Sequence, residues 1–271
     1  MPKFAANLSM MFNEVPFLER FAAAADSGFT GVEYLFPYDF PAEVLAEHLR
    51  KQKLDNVLFN LPPGNWAAGE RGITCLPGRE EEFRAGVATA ISYATSLNTT
   101  RVHAMAGIVA KGASPAAVHA TYIANLKYAA VEFAKHGITL LIEAINTRDM
   151  PGFYLSTQAQ AYAIMEEVGE PNLKMQMDCY HMQIMEGDIA MKLRKYAAHC
   201  AHVQVAGVPE RHEPDTGEVR YSYLFDLLDE VGYSGWVGCE YRPAGKTVDG
   251  LSWFRGGSPE WRSRKNIDRG E

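Results

Sequence analysis

At 271 residues, with 47% hydrophobic and 22% charged side chains, the chain has ample apolar material for a large core and does not have the composition of a disordered protein. Its formal net charge of −7 argues against non-specific binding to nucleic acid or to a membrane surface, which needs a basic face, so an anionic ligand has to be held by local cations. Residues 1–30 carry no basic segment followed by a roughly 7–15-residue apolar run, and no stretch of about 18 uninterrupted apolar residues occurs, so a cytoplasmic location is expected.

Short apolar runs bounded by Gly, Pro or polar residues occupy 3–8, 31–36, 55–60, 101–106, 138–144, 173–178, 201–206 and 236–241, eight predicted strands. Helical periodicity fills the intervals. It is carried by Phe17, Phe21, Ala24 and Ala25 after the first strand, by Val118, Tyr122, Leu126, Ala129 and Phe133 after the fourth, and by Leu224, Leu227, Leu228 and Val231 after the seventh. A last helix is placed near 247–254. Gly28, Gly137, Gly169 and Gly232 sit where a left-handed cap ends a helix, and Ser114-Pro115 is a helix start signal. The octets "SGFTGVEY" at 27–34 and "VGYSGWVG" at 231–238 echo one another, as two units of a repeat would.

Eight strand–helix alternations predict a (β/α)8 TIM barrel spanning 1–254 as a single domain. A doubly wound sheet would want a GxGxxG after an early strand, and none follows a strand here. The Pro/Gly-rich stretch 61–78 reads as a functional loop over one face of the barrel, and 255–271 as a polar tail. Cys75, Cys179, Cys200 and Cys239 have no CxxC spacing and read as reduced thiols.

Four of the predicted strands end on an oxygen donor: "ITLLIEA" on Glu143, "LKMQMD" on Asp178, "CAHVQVAG" near Gln204 and "WVGCEY" on Glu240. In a (β/α)8 barrel the C-terminal strand ends build the active site, and neighbouring strands about 4.8 Å apart bring such side chains to one point. Three carboxylates that close cannot all ionise unaided, and no Lys or Arg lies within these strand ends to pair with them. A divalent cation resolves the repulsion. Three carboxylates and one amide oxygen form an all-oxygen set suited to magnesium or manganese, with Gln204 as the neutral fourth ligand.

His181, three residues after Asp178, is placed to turn back over the metal towards a substrate oxygen, and Arg211 to grip a carboxylate with two hydrogen bonds. His103 in "VHAMAG" is a further candidate for the substrate. His202 and Glu33 read as buried, hydrogen-bonded structural groups, and His212 as a weaker site candidate in the loop of Arg211.

With those positions identified, the chain resembles the hydroxypyruvate isomerase family of the xylose-isomerase-like barrels. The resemblance runs through "FAANLSMMF" (4–12), "LPGRE" (76–80), "VHAMAG" (102–107), "HVQVAGVPERHEPDTGE" (202–218) and "GYSGWVGCEYRP" (232–243). It implies Glu143 and Glu240 as the proton-transferring pair, and Glu143, Asp178, Gln204 and Glu240 as metal ligands. It also implies a small anionic oxo-acid substrate and, in a superfamily that often forms dimers or tetramers, a homo-oligomer. The implied reaction converts hydroxypyruvate to tartronate semialdehyde through an enediolate. Close relatives include isomerases of four-carbon oxo-tetronates, and spacing does not separate the two substrate lengths. The ketose 3-epimerases are similar but place a histidine at the position of Gln204, and endonuclease IV uses a histidine-rich three-zinc cluster that this rim does not match. A non-catalytic sugar-acid-binding barrel is the reading from outside enzymology, and the presence of two rim glutamates argues against it.

Overall fold

The computed structural model describes residues 2–256, so most of the stretch read as a polar tail lies outside the described residues. Eight parallel strands pair in chain order and close on themselves: β1 (Lys3–Asn7), β2 (Gly31–Glu33), β3 (Asp55–Asn60), β4 (Arg101–His103), β5 (Thr139–Glu143), β6 (Leu173–Asp178), β7 (Cys200–Val205) and β8 (Trp236–Cys239). Helices α1 (Phe17–Asp26), α2 (Ala42–Gln52), α3 (Glu80–Leu97), α4 (Pro115–Ala134) and α5 (Gln158–Val168) follow the first five strands. Two shorter ones, α6 (Cys179–Met185) and α7 (Ile189–Tyr196), follow β6, and α8 (Tyr221–Glu230) follows β7. The segment predicted as one helix near 247–254 is a 3-10 turn, Thr247–Gly250, and then α9 (Ser252–Gly256).

The punctuation residues act as their chemistry requires. Gly28, Gly137, Gly169 and Gly232 all have positive φ at or just past a helix end, and the Ser114 hydroxyl caps α4 with Pro115 in its first turn. The four cysteines are free thiols, three of them buried. Two predicted strands, β2 and β4, each end three residues early. β4 stops at His103 because residues 104–106 turn to the long 61–78 loop, where Cys75 N–H donates to Ala106 O (2.8 Å) and the Thr74 hydroxyl to Met105 O (2.7 Å). β2 stops at Glu33 after a register shift against β3 between Val32 and Glu33.

Strand alternation sorts the barrel interior into layers. Ala5, Leu141 and Trp236 contribute to an apolar cluster with Val57 and Leu58, and two residues further along their strands come Asn7, Glu143 and Gly238. Gly31 and Gly238 make this possible by close approach: a Cβ on Gly31 would enter the Trp236 ring, and one on Gly238 would enter the Glu33 carboxylate. A polar layer therefore lies above an apolar plug. The helices seal the outside of the sheet through the large apolar cluster that includes Phe21, Leu45, Val87, Leu126 and Leu228.

Candidate active site

Asp178 ends β6 and caps α6, so its two oxygens are divided between tasks: Oδ1 accepts from Tyr180 N–H (2.7 Å), while Oδ2 has no hydrogen-bond partner among the described residues. Glu143 ends β5 in the same way. Its Oε2 accepts from Gln176 Nε2 (3.0 Å), and its Oε1 has no hydrogen-bond partner among the described residues. Glu240, one residue past β8, accepts from Asn7 Nδ2 on Oε1 (3.3 Å) and from Arg211 on Oε2 (2.5 Å). One ligand atom from each of Glu143, Asp178, His181 and Glu240 lies within 4.8 Å of the other three, and all four residues are buried.

Gln204 stands beside this group through its register with Asp178. Its Nε2 donates to Glu33 Oε1 (2.8 Å), and its Oε1 accepts from Gln176 Nε2 (2.6 Å), which leaves one lone pair of that oxygen for a further partner. The direction of the amide is fixed by its neighbours, since reversing it would set oxygen against Glu33 and nitrogen against Gln176.

Arg211 supplies the cation that the strand ends lack. Its loop follows β7 and is closed by Arg211 N–H to Gly207 O (2.8 Å) and Gly207 N–H to His212 O (2.8 Å), with Arg211 itself at φ 62°. The side chain, only 8% exposed, reaches back to Glu240 and to within 3.7 Å of Asp178 Oδ2, with its guanidinium over the Tyr180 ring. The strand ends themselves carry no basic partner, as read from the sequence, and the sequence-distant loop of Arg211 folds over the rim to supply one. His212, from the same loop, lies against the Arg242 carbonyl (2.8 Å) and joins none of the groups above.

His103 ends β4 with no hydrogen bond to either ring nitrogen among the described residues, and its Nδ1 lies 3.6 Å from Glu143 Oε2. His181 Nε2 lies 3.8 Å from Glu143 Oε1 and 3.7 Å from Asp178 Oδ2, facing the two oxygens that accept no hydrogen bond among the described residues. Glu33 is the last residue of β2, and its carboxylate takes hydrogen bonds from Asn7 (3.0 Å) and Gln204 and lies 2.7 Å from His202 Nε2. This is the buried link expected of Glu33 and His202. Sequence reading missed Asn7 and Gln176. Each carried a usable signal: Asn7 closes an apolar run as Glu143 does, and Gln176 shares strand parity with Asp178.

The electrostatics follow from burial. Desolvation pushes Glu143 well above the usual carboxylate range, reinforced by the charges of Glu240 and Asp178. Burial also raises Glu240, to about 8, against the pull of Arg211, and raises Asp178 against the same pull. Burial lowers His103 to about 3, with His202 adding to the effect, so His103 is a neutral imidazole at neutral pH. Buried carboxylate oxygens that accept no hydrogen bond among the described residues, on groups that resist ionising alone, are what a divalent cation would satisfy.

The profile of the xylose isomerase-like TIM barrel family matches residues 21–256. A 2-oxo-tetronate isomerase of Cupriavidus necator is 55% identical over 255 residues, covering 94% of this chain and 98% of that protein. The hydroxypyruvate isomerase of Escherichia coli is 50% identical over 254 residues, with 94% and 98% covered. A crystal structure from Brucella melitensis described as an AP endonuclease, family 2, superposes with a TM-score of 0.93 at 55% identity, covering 94% of this chain and 98% of that one. The chain therefore belongs to the xylose isomerase-like TIM barrel family, and within it to the isomerases that include hydroxypyruvate isomerase and 2-oxo-tetronate isomerase.

Proposed function

We propose that this isomerase interconverts hydroxypyruvate and tartronate semialdehyde by proton transfer through an enediolate, with Glu143 and Glu240 as the transferring groups. The observation that carries the reading is the meeting of these two buried glutamates with Asp178 and His181 at the C-terminal rim of the barrel. One glutamate takes a proton from C3, and the electrons of that C–H bond form the C2=C3 double bond while charge moves onto the C2 oxygen. The hydroxyl proton on the C3 oxygen passes to the C2 oxygen, a proton is delivered to C2, and C3 is left as the aldehyde. Burial brings Glu240 up to about 8, which suits a group that both takes and gives a proton, and burial raises Glu143 in the same direction.

Glu143, Asp178, Gln204 and Glu240 are the residues proposed to hold a divalent cation, with the free oxygens of Glu143 and Asp178 and the remaining lone pair of Gln204 as the available donors. Oxygen donors of this kind favour magnesium or manganese. Bound there, the ion would supply positive charge where the enediolate becomes negative. Arg211 is the guanidinium that matches the substrate carboxylate, while His181 and His103 line the place of its other oxygens. A site with one histidine among its candidate ligands does not favour the three-zinc phosphoester chemistry of histidine-rich relatives.

A second substrate, a four-carbon 2-oxo-tetronate, is favoured by one specific observation, the 55% identity to an isomerase named for it. Measuring kcat/KM for hydroxypyruvate and 2-oxo-tetronate side by side decides between them. One carbon unit in a closed pocket is worth about 10-fold or more. A preference of that size for hydroxypyruvate is expected, and the opposite preference would assign the four-carbon reaction.

A further inference from the structure

We infer that Asn146 is a positioning residue that fixes His181 in the tautomer carrying its proton on Nε2, so that His181 donates a hydrogen bond into the site and is not a metal ligand. A backbone amide is unambiguous as a donor. Asp149 N–H donates to Asn146 Oδ1 (2.7 Å), which fixes the direction of the fully buried Asn146 side chain. The amide nitrogen must then face the other way, and it does: Asn146 Nδ2 donates to Asp149 Oδ2 (3.1 Å) and lies 2.6 Å from His181 Nδ1. An NH2 group so placed needs an acceptor on the imidazole. His181 Nδ1 therefore carries no proton, and the neutral ring keeps its one proton on Nε2.

Asp149 is held in turn by Tyr180, whose hydroxyl donates to Oδ2 (2.8 Å) and accepts from Arg148 (2.8 Å), while Arg148 also donates to Pro209 O (2.9 Å) in the loop of Arg211. The loops after β5 and β7 thus lock the amide that locks the histidine. The consequence for the site is specific. His181 Nε2 belongs by distance to the cluster of candidate ligands, yet a protonated nitrogen has no lone pair for a cation. It offers instead a donor beside Glu143 Oε1 and Asp178 Oδ2, where a substrate oxygen can receive it. This inference rests on the proposed function only for the identity of that oxygen.

The test is long-range proton–nitrogen NMR on the full-length protein, uniformly labelled with nitrogen-15, without substrate, both metal-free and with magnesium, a diamagnetic ion. The chain has eight histidines, and the ring signature lost in His181→Ala assigns the one in question. The expected result is a pyridine-like Nδ1 and a pyrrole-like Nε2, with the two exchanging character in Asn146→Asp, whose carboxylate accepts from a protonated Nδ1. Asn146→Asp is also expected to lower kcat about 10- to 100-fold, the range typical of residues that orient a functional histidine. A pyrrole-like Nδ1 in the wild-type protein would overturn the inference, and so would a folded Asn146→Asp protein with the wild-type tautomer. If that variant does not fold, the wild-type spectrum decides alone. Because no substrate is present, the spectrum can fail while the hydroxypyruvate reaction stands, and the reverse.

Discussion

Glu143→Gln and Glu240→Gln are each expected to lose about 10²- to 10⁴-fold in kcat, the share that a positioned proton-transfer group contributes, while the protein remains folded. The two variants should differ in stability. At Glu143 the amide can keep its oxygen towards Gln176 Nε2 and turn its nitrogen to the side where Oε1 has no partner. At Glu240 both oxygens accept from donors, Asn7 Nδ2 and Arg211, so an amide nitrogen must face one of them. Thermal unfolding should therefore show a larger loss for Glu240→Gln than for Glu143→Gln. Near-normal turnover in either variant would remove that residue from the proton-transfer role.

Removing divalent ions by chelation is expected to abolish turnover, with activity returning on addition of magnesium or manganese. A linked effect on stability gives this an independent readout. In the metal-free protein Glu240 has its pKa raised from the ordinary 4.5 to about 8, so between those values the folded state binds more protons than the unfolded state. Stability from this group is present in full below about pH 4.5 and is lost as pH rises towards 8, and the raised Glu143 and Asp178 act in the same direction. A bound cation favours the ionised carboxylates and reverses the trend. The gain in melting temperature on adding metal should therefore grow from pH 5 to pH 8, and a gain that shrinks with pH would contradict carboxylate ligation.

Much of this architecture was legible from local chemistry. Strand positions followed from apolar runs, and helix ends from glycines such as Gly169 and Gly232, because both signals act within a few residues. The oxygen donors at 143, 178, 204 and 240 were legible because β-strand ends in a barrel converge by geometry alone. What sequence spacing could not carry was pairing across the barrel. Arg211 reaches Glu240 from a loop whose path depends on Gly207 and a left-handed residue, and Gln176 joins Glu143 to Gln204 across three strands. The direction of an amide is likewise settled only by its neighbours, which is why Gln204 is seen to divide its two ends between Glu33 and Gln176. The shortening of β4 has the same origin, a competing partner in the distant 61–78 loop.

The measurement that bears most directly on the central claim is the isomerisation of hydroxypyruvate in D2O, with magnesium present, followed by NMR. Proton transfer through buried carboxyls that exchange with solvent should place deuterium on C2 of the tartronate semialdehyde formed and on C3 of the remaining hydroxypyruvate. Product that carries the original carbon-bound hydrogen on C2, with no deuterium entering either compound, would mean that one hydrogen passes from C3 to C2 without exchange, by a hydride shift or on a single shielded base, and would contradict the roles assigned to Glu143 and Glu240.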